Sequence, residues 1–300
     1  MSKALSPPRK REGRWLWPTF AAPGLIWLVL LFLVPFYAIL SVAMGTLDPI
    51  FGAAVPEWNP LRWDATSFAE VMNSTTLQVF GRTCAYVAIA GILSLFIGYP
   101  VAYFISRHGG RFKTTLLVLL IAPFWISYLM RMLAWVNLLQ DDGYVNRVLM
   151  FLQILDRPKS WLAGESLTVV LGLVYGYIPF LILPLYAALD RIDRRLLEAA
   201  RDLGASPLKT FLSVTLPLSR QGMIAGSVII LLPMFGDYYT PDLLSGSPGN
   251  TMTGNQIAFY LQAPSGANRG AALVILLSAA VSVLMIYYLI TVARAAREAQ

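Results

Sequence analysis

An all-α membrane protein crossing the bilayer six times, with both termini cytoplasmic, is the fold class this sequence predicts, and three observations lead to it. The 300 residues are 57% apolar and 13% charged, whereas soluble chains run at roughly 45–50% and about 25%. The apolar residues gather into long runs nearly free of charge, each close to the roughly 20 residues that a helix needs to cross hydrocarbon with its backbone satisfied. The lysines and arginines alternate between crowded and sparse loops, which sets an orientation. An ordinary cytosolic enzyme is excluded on these grounds. A net charge of +7 also calls for no nucleic-acid partner, because the basic residues lie in loops and tails and form no basic face on a soluble domain.

Taken in order, residues 1–17 form a basic, Pro-containing cytoplasmic tail, and the first span covers about 18–45. Its length and the lack of a small-residue cleavage pattern favour a retained anchor over a signal peptide. Further spans fall at about 78–106, 114–139, 166–189, 221–246 and 270–293, with a tail at 294–300. The third and fifth are short runs that continue past one charge each, Arg131 and Asp237. With the N-terminus inside, the cytoplasmic side receives sixteen Lys and Arg, six of them between Arg191 and Arg220, and the outer side receives five. The outer segments 46–76 and 141–164 have room for short helices, and Val145 to Leu155 has the apolar spacing of a helix lying along the membrane surface. The single cysteine, Cys84, lies in an apolar run and has no partner for a disulfide or metal cage.

The cytoplasmic segment 190–220 is built unlike a connector. Asp193 caps a helix whose apolar positions Leu196, Ala199, Ala200 and Leu203 recur at helical spacing, and Gly204 supplies a left-handed stop. Ser206 and Pro207 then form an N-cap and first-turn pair for a second helix through Leu208, Phe211 and Leu212, with Pro217 at its junction to the fifth span. Two short amphipathic helices of this kind press on lipid or on another protein.

The triplet Glu198-Ala199-Ala200, with Gly204 six positions after the glutamate and Val214-Thr215-Leu216-Pro217 closing the segment, resembles the EAA loop of the inner-membrane permease subunits of binding-protein-dependent ABC importers. The resemblance covers roughly Leu77 to Ile290. Within Pro123 to Trp135, Tyr175 to Pro184 and Leu189 to Gly246 it is similar to the spermidine/putrescine permease branch. It implies a multi-pass chain of the bacterial inner membrane, paired with a second permease subunit, two copies of a cytoplasmic ATPase and an extracytoplasmic substrate-binding protein. It also implies that Glu198, Ala199, Ala200, Asp202, Gly204, Ser206 and Pro207 couple to the ATPase. The chain carries no phosphate-binding G-x-x-x-x-G-K-[ST] loop. It needs no cofactor of its own on this reading, and ATP and Mg belong to the partner ATPase. Glu198 either joins the charges of Arg194, Arg195 and Arg201 or reaches across to the partner.

A substrate path needs polar groups converging in an apolar bundle, and ionisable residues inside spans are the default candidates because each is costly there. Asp237 and Arg131 sit at similar depth in the outer half of their spans. They either pair structurally, with each other or with backbone, or serve the substrate. In the second case Asp237, Tyr238, Tyr239 and Asp242 offer carboxylates and aromatic faces to a cation. Trp125 and Trp135 extend that wall or belong to an interfacial belt. Gly172 with Gly176, and Gly222 with Gly226, have the spacing of close helix contacts, either within the chain or to a second subunit. Import of a polyamine is the leading function. Its rivals are import of another small solute, such as an amino-acid derivative or opine, and an ion-coupled secondary transporter. The last would show ionisable relays and paired interrupted helices at mid-membrane. A membrane enzyme is disfavoured, since the lone His108 has no metal-ligand or nucleophile-base companions.

Overall fold

The computed structural model describes residues 16–298, so most of the expected N-terminal tail and the last two residues of the C-terminal one lie outside the described residues. Helix α1, Leu16–Ala43, leads into a short hairpin in which β1, Thr46–Leu47, pairs antiparallel with β2, Ala54–Val55. A short α2, Thr66–Val71, precedes α3, Ser74–His108. Then come α4, Lys113–Ile121, α5, Tyr128–Leu139, α6, Tyr144–Phe151, and α7, Ser166–Asp190. The segment after α7 holds α8, Arg194–Asp202, and α9, Pro207–Thr210. The chain closes with α10, Leu216–Phe235, α11, Tyr239–Ser245, α12, Thr253–Gln262, and α13, Ala267–Glu298.

Five helices among the described residues are long and apolar enough to cross a membrane, and a sixth crossing exists if α4 and α5 count as one broken span. That third span, expected as one helix over 114–139, bends by 88°. The bend has a local cause. Pro123 opens a tight turn over Ala122–Trp125, Ile126 is extended, and the Ser127 hydroxyl accepts the Met130 N–H at 3.3 Å to start a new helix. The fifth span, expected over 221–246, also divides: α10 ends at Phe235, and α11 begins only after Gly236, Asp237 and Tyr238.

Segment 190–220 departs from the expected pair of separate short helices. Asp193 does cap α8 by accepting the Arg195 N–H at 2.9 Å, and Ser206 caps α9 by accepting that of Lys209 at 3.3 Å. A π-helical turn over Phe211–Thr215 then joins α9 to α10, so that Pro207–Phe235 runs as one 29-residue helix. Pro217 therefore marks no break. The widened turn ahead of it relieves the clash that a proline ring makes with the preceding turn of a helix.

Helices α3, α7 and α10 form the core, with Val87, Leu173, Leu181, Leu185, Ile230 and Met234 nearly or wholly buried between them. Gly222 and Gly226 bring α10 against Ala188 and Leu181 of α7, while Gly172 receives Leu244 and Gly176 receives the Tyr128 ring. These small residues therefore serve packing within the chain. Helix α1 leans on α13 and on Val71 through its last turns, with Ala43, Ala271, Ala272 and Leu273 buried there. The rest of α1 exposes apolar side chains from Leu25 to Val34, as a surface in lipid would.

Candidate functional site

The two breaks meet. Asp237, in the gap between α10 and α11, is only 5% exposed, and its carboxylate is surrounded by donors. Oδ2 accepts from the hydroxyls of Tyr128 at 2.7 Å, Thr240 at 2.7 Å and Tyr177 at 3.2 Å, and Oδ1 accepts the Thr240 N–H at 3.1 Å. Tyr128 stands on the first turn of α5, Tyr177 on α7 and Thr240 on α11, so one carboxylate binds both broken spans to the core helix. A buried charge is tolerable where hydrogen bonds of this kind satisfy it.

Arg131, one turn after Tyr128, is not the partner of that carboxylate. The ion pairs among the described residues are Lys113–Asp190, Lys159–Glu165 and Arg269–Glu70. The Arg131 guanidinium instead lies 4.0 Å from the centroid of the Phe124 ring and 5.3 Å from that of Tyr128. The structural pairing left open by the sequence thus resolves differently for the two residues: Asp237 is held by hydroxyls, and Arg131 by aromatic faces.

The aromatic residues divide as well. Tyr238 and Tyr239 have ring centroids 4.0 Å apart, and Tyr239 reaches Tyr128 at 6.5 Å. Trp135 packs edge-on against Tyr175 at 5.2 Å and lines, with Arg131, a cavity of about 360 Å³. Trp125 is 81% exposed at the bend and does not line that cavity. Asp242 is exposed and lines a separate cavity of about 450 Å³ with Ser247, Thr251, Asn255, Gln256 and Phe259.

Several residues that the sequence did not single out build this region. A Cβ on Gly254, at the start of α12, would lie 2.6 Å from the Asp237 carbonyl oxygen and 2.7 Å from that of Gly236, so the backbone of the break rests directly on this glycine. Gly254→Ala should push α12 off the break and destabilise the chain by about 1–3 kcal/mol, read as a lower melting temperature of the purified protein; an unchanged melting temperature would show that the break does not depend on this contact. Asn250 accepts from Tyr86 at 2.8 Å and Ser166 at 3.1 Å and donates to the Gly164 carbonyl at 2.8 Å and the Ser245 hydroxyl at 2.9 Å. Asn146 is likewise fully engaged, bonding to the backbone of Gln140, Asp141 and Lys159 and to the Trp161 ring N–H. The available signal was an amide or tyrosine close to a proline- or glycine-marked interruption.

At the opposite end, the predicted coupling residues form an exposed knuckle. Glu198, Ala199, Asp202, Gly204, Ser206 and Pro207 are exposed, and Ala200 is half-buried. Gly204 has a φ of +81° with nothing within 4 Å of a Cβ placed there. Leu203 and Leu208 are 89% and 68% exposed. Glu198 makes no ion pair among the described residues, so the internal charge network with Arg194, Arg195 and Arg201 is not formed. The base of the knuckle is tied down by Lys113 on Asp190 and by Arg107 Nη1 donating to the Ile192 carbonyl at 3.2 Å.

Comparison with known proteins bears on both ends. The family described as "Binding-protein-dependent transport system inner membrane component" matches residues 94–297. The spermidine/putrescine transport system permease protein PotB of Haemophilus influenzae is 38% identical over 221 residues, 74% of this chain and 75% of that protein. PotB of Escherichia coli K12 is 34% identical over 231 residues, 77% of this chain and 81% of that protein. In fold, the chain is similar to one from a bacterial alginate ABC transporter in complex with an alginate-bound periplasmic protein, with a TM-score of 0.72, 16% identity and coverage of 91% and 92% of the two chains. A chain of the MetNI methionine ABC transporter follows at a TM-score of 0.54 and 19% identity, covering 75% of this chain and 99% of that one. On the strength of the matched 94–297 region and these relatives, the chain belongs to the inner-membrane components of binding-protein-dependent transport systems and is a multi-pass permease subunit of an ABC importer.

Proposed function

We propose that this permease forms half of the translocation path for a polyamine of the spermidine and putrescine type, pairing with a second permease subunit. Two copies of a cytoplasmic ATPase, which hold the ATP and Mg, and an extracytoplasmic binding protein complete the complex. The observation that carries the substrate class is the cavity of about 450 Å³ beside α11 and α12, where Asp242 is the one charged lining residue. A carboxylate among hydroxyl and amide oxygens, with the Phe259 ring at the rim, matches the needs of an ammonium group. The names of the PotB relatives support the same substrate.

Coupling runs through the knuckle. With both termini in the cytoplasm, as the basic loops favour, α8 faces the ATPase and presents Glu198, Ala199, Ala200 and Asp202 to a groove on its surface. Gly204, Ser206 and Pro207 fix the angle between α8 and α9. Because α9 is continuous with α10 through the π-helical turn, a push on the knuckle travels along one 29-residue helix and ends at the Asp237 break. The ATPase cycle thereby moves helices as rigid bodies around the path.

Asp242→Asn tests the substrate claim. In the reconstituted complex it should raise the spermidine concentration for half-maximal uptake by about tenfold, equivalent to roughly 1.4 kcal/mol, with assembly unchanged because Asp242 is exposed. Unaltered concentration dependence would remove Asp242 from the path.

A further inference from the structure

The cavity at the bend between α4 and α5 contains an unresolved charge. Arg131 is 8% exposed, and its Nε and Nη1 atoms are buried with no hydrogen-bond partner among the described residues. The carboxylate of Asp237 is occupied by Tyr128, Tyr177 and Thr240. Stacking on Phe124 and Tyr128 lowers the cost of the charge but satisfies none of the guanidinium N–H groups, and a buried cation without an acceptor costs several kcal/mol. These two N–H groups call for an acceptor from outside the described residues, and an anion suits the charge best.

The cavity says what kind. Its volume is about 360 Å³ and its walls are almost wholly apolar, with Pro123, Ile126, Met130, Ala134 and Leu138 around the guanidinium. Ile126 and Met130 in its lining are 56% and 59% exposed, which gives the cavity an apolar rim. A polyamine carries only positive charge and is repelled by Arg131. The rim suits a second apolar surface, and the guanidinium fork suits a carboxylate. We infer that Arg131 is an interface residue, pairing across this apolar rim with an Asp or Glu side chain of the second permease subunit. The inference rests on the proposed pairing of two permeases and adds the residue that specifies it. An ion pair of this kind inside a membrane sets which subunit is accepted and in which register.

The test uses the full chain co-expressed with its second permease subunit in detergent, with each chain tagged separately. Arg131→Glu should lower the yield of the co-purified pair by about tenfold or more. The melting temperature of the chain purified alone should fall by a few degrees at most, from the lost stacking on Phe124 and Tyr128, because no intrachain acceptor is lost. Arg131→Lys should recover part of the yield. Changing each acidic residue in the partner's spans to arginine should reveal one position that restores pairing with Arg131→Glu. Wild-type yield for Arg131→Glu, equal destabilisation of the isolated chain, or no rescuing position would each overturn the inference. So would a loss of bound phosphatidylglycerol from the isolated Arg131→Gln chain, which would assign the anion to a lipid phosphate. Failure of the unmutated chains to pair would count against the two-permease reading itself and is visible separately in the wild-type control.

Discussion

Gly204→Val is expected to cut ATP-driven uptake by about tenfold or more while leaving the chain inserted in the membrane. The glycine sits at a φ of +81°, where a β-branched residue is strained by about 1–2 kcal/mol. No atom lies within 4 Å of a Cβ at this position, so the effect is carried by the backbone alone. The turn relaxes, α8 loses its angle to α9, and the knuckle no longer fits its groove. Gly204→Asn, which tolerates the left-handed region, should retain most uptake. Glu198→Lys should weaken capture of the ATPase without affecting stability, because Glu198 is exposed and has no ion pair among the described residues. Co-purified ATPase and nucleotide-driven uptake in proteoliposomes, normalised to inserted chain, give the readout. Normal assembly and uptake in Gly204→Val and Glu198→Lys together would refute the docking role of this segment.

The second large effect is expected at Asp237. Asp237→Ala removes the acceptor shared by Tyr128, Tyr177 and Thr240 and strands donors in a buried site, at about 1–3 kcal/mol for each one left without a partner. The isolated chain should melt several degrees lower, since a kcal/mol is worth about 2–4 °C in a domain of comparable size. Asp237→Asn keeps one acceptor oxygen, and the hydroxyls can rotate to accept from its amide, so its loss should be smaller. A melting temperature unchanged by Asp237→Ala would show that the carboxylate does not hold the two breaks together and would return it to the substrate path.

Much of this was legible from residue order. The positions of the long apolar helices, the caps at Asp193 and Ser206 and the left-handed turn at Gly204 all follow from local rules, because an N-cap or a glycine stop is decided within a few residues. The breaks at Ile126 and Asp237 were harder to foresee. Each apolar run is long enough for a straight helix, and Pro123 alone signals a kink and does not predict an 88° bend. The continuity of α9 with α10 was hidden for the opposite reason, since Pro217 signals a boundary that the π-helical turn removes.

Amino-acid order by itself determined that this chain lives in a bilayer, where its long apolar helices lie, and that a capped helix and a left-handed turn stand between the fourth and fifth of the expected spans, because hydrophobic runs and cap residues act over short stretches of chain. Tertiary structure alone decided what the intramembrane charges do. Asp237 and Arg131 lie at similar depth in sequence, yet hydroxyls from three helices saturate the first, and the guanidinium of the second lies over the rings of Phe124 and Tyr128. The physical reason is that a buried charge is governed by whichever side chains reach it across the fold, and those partners lie 3 to 109 positions away along the chain for Asp237.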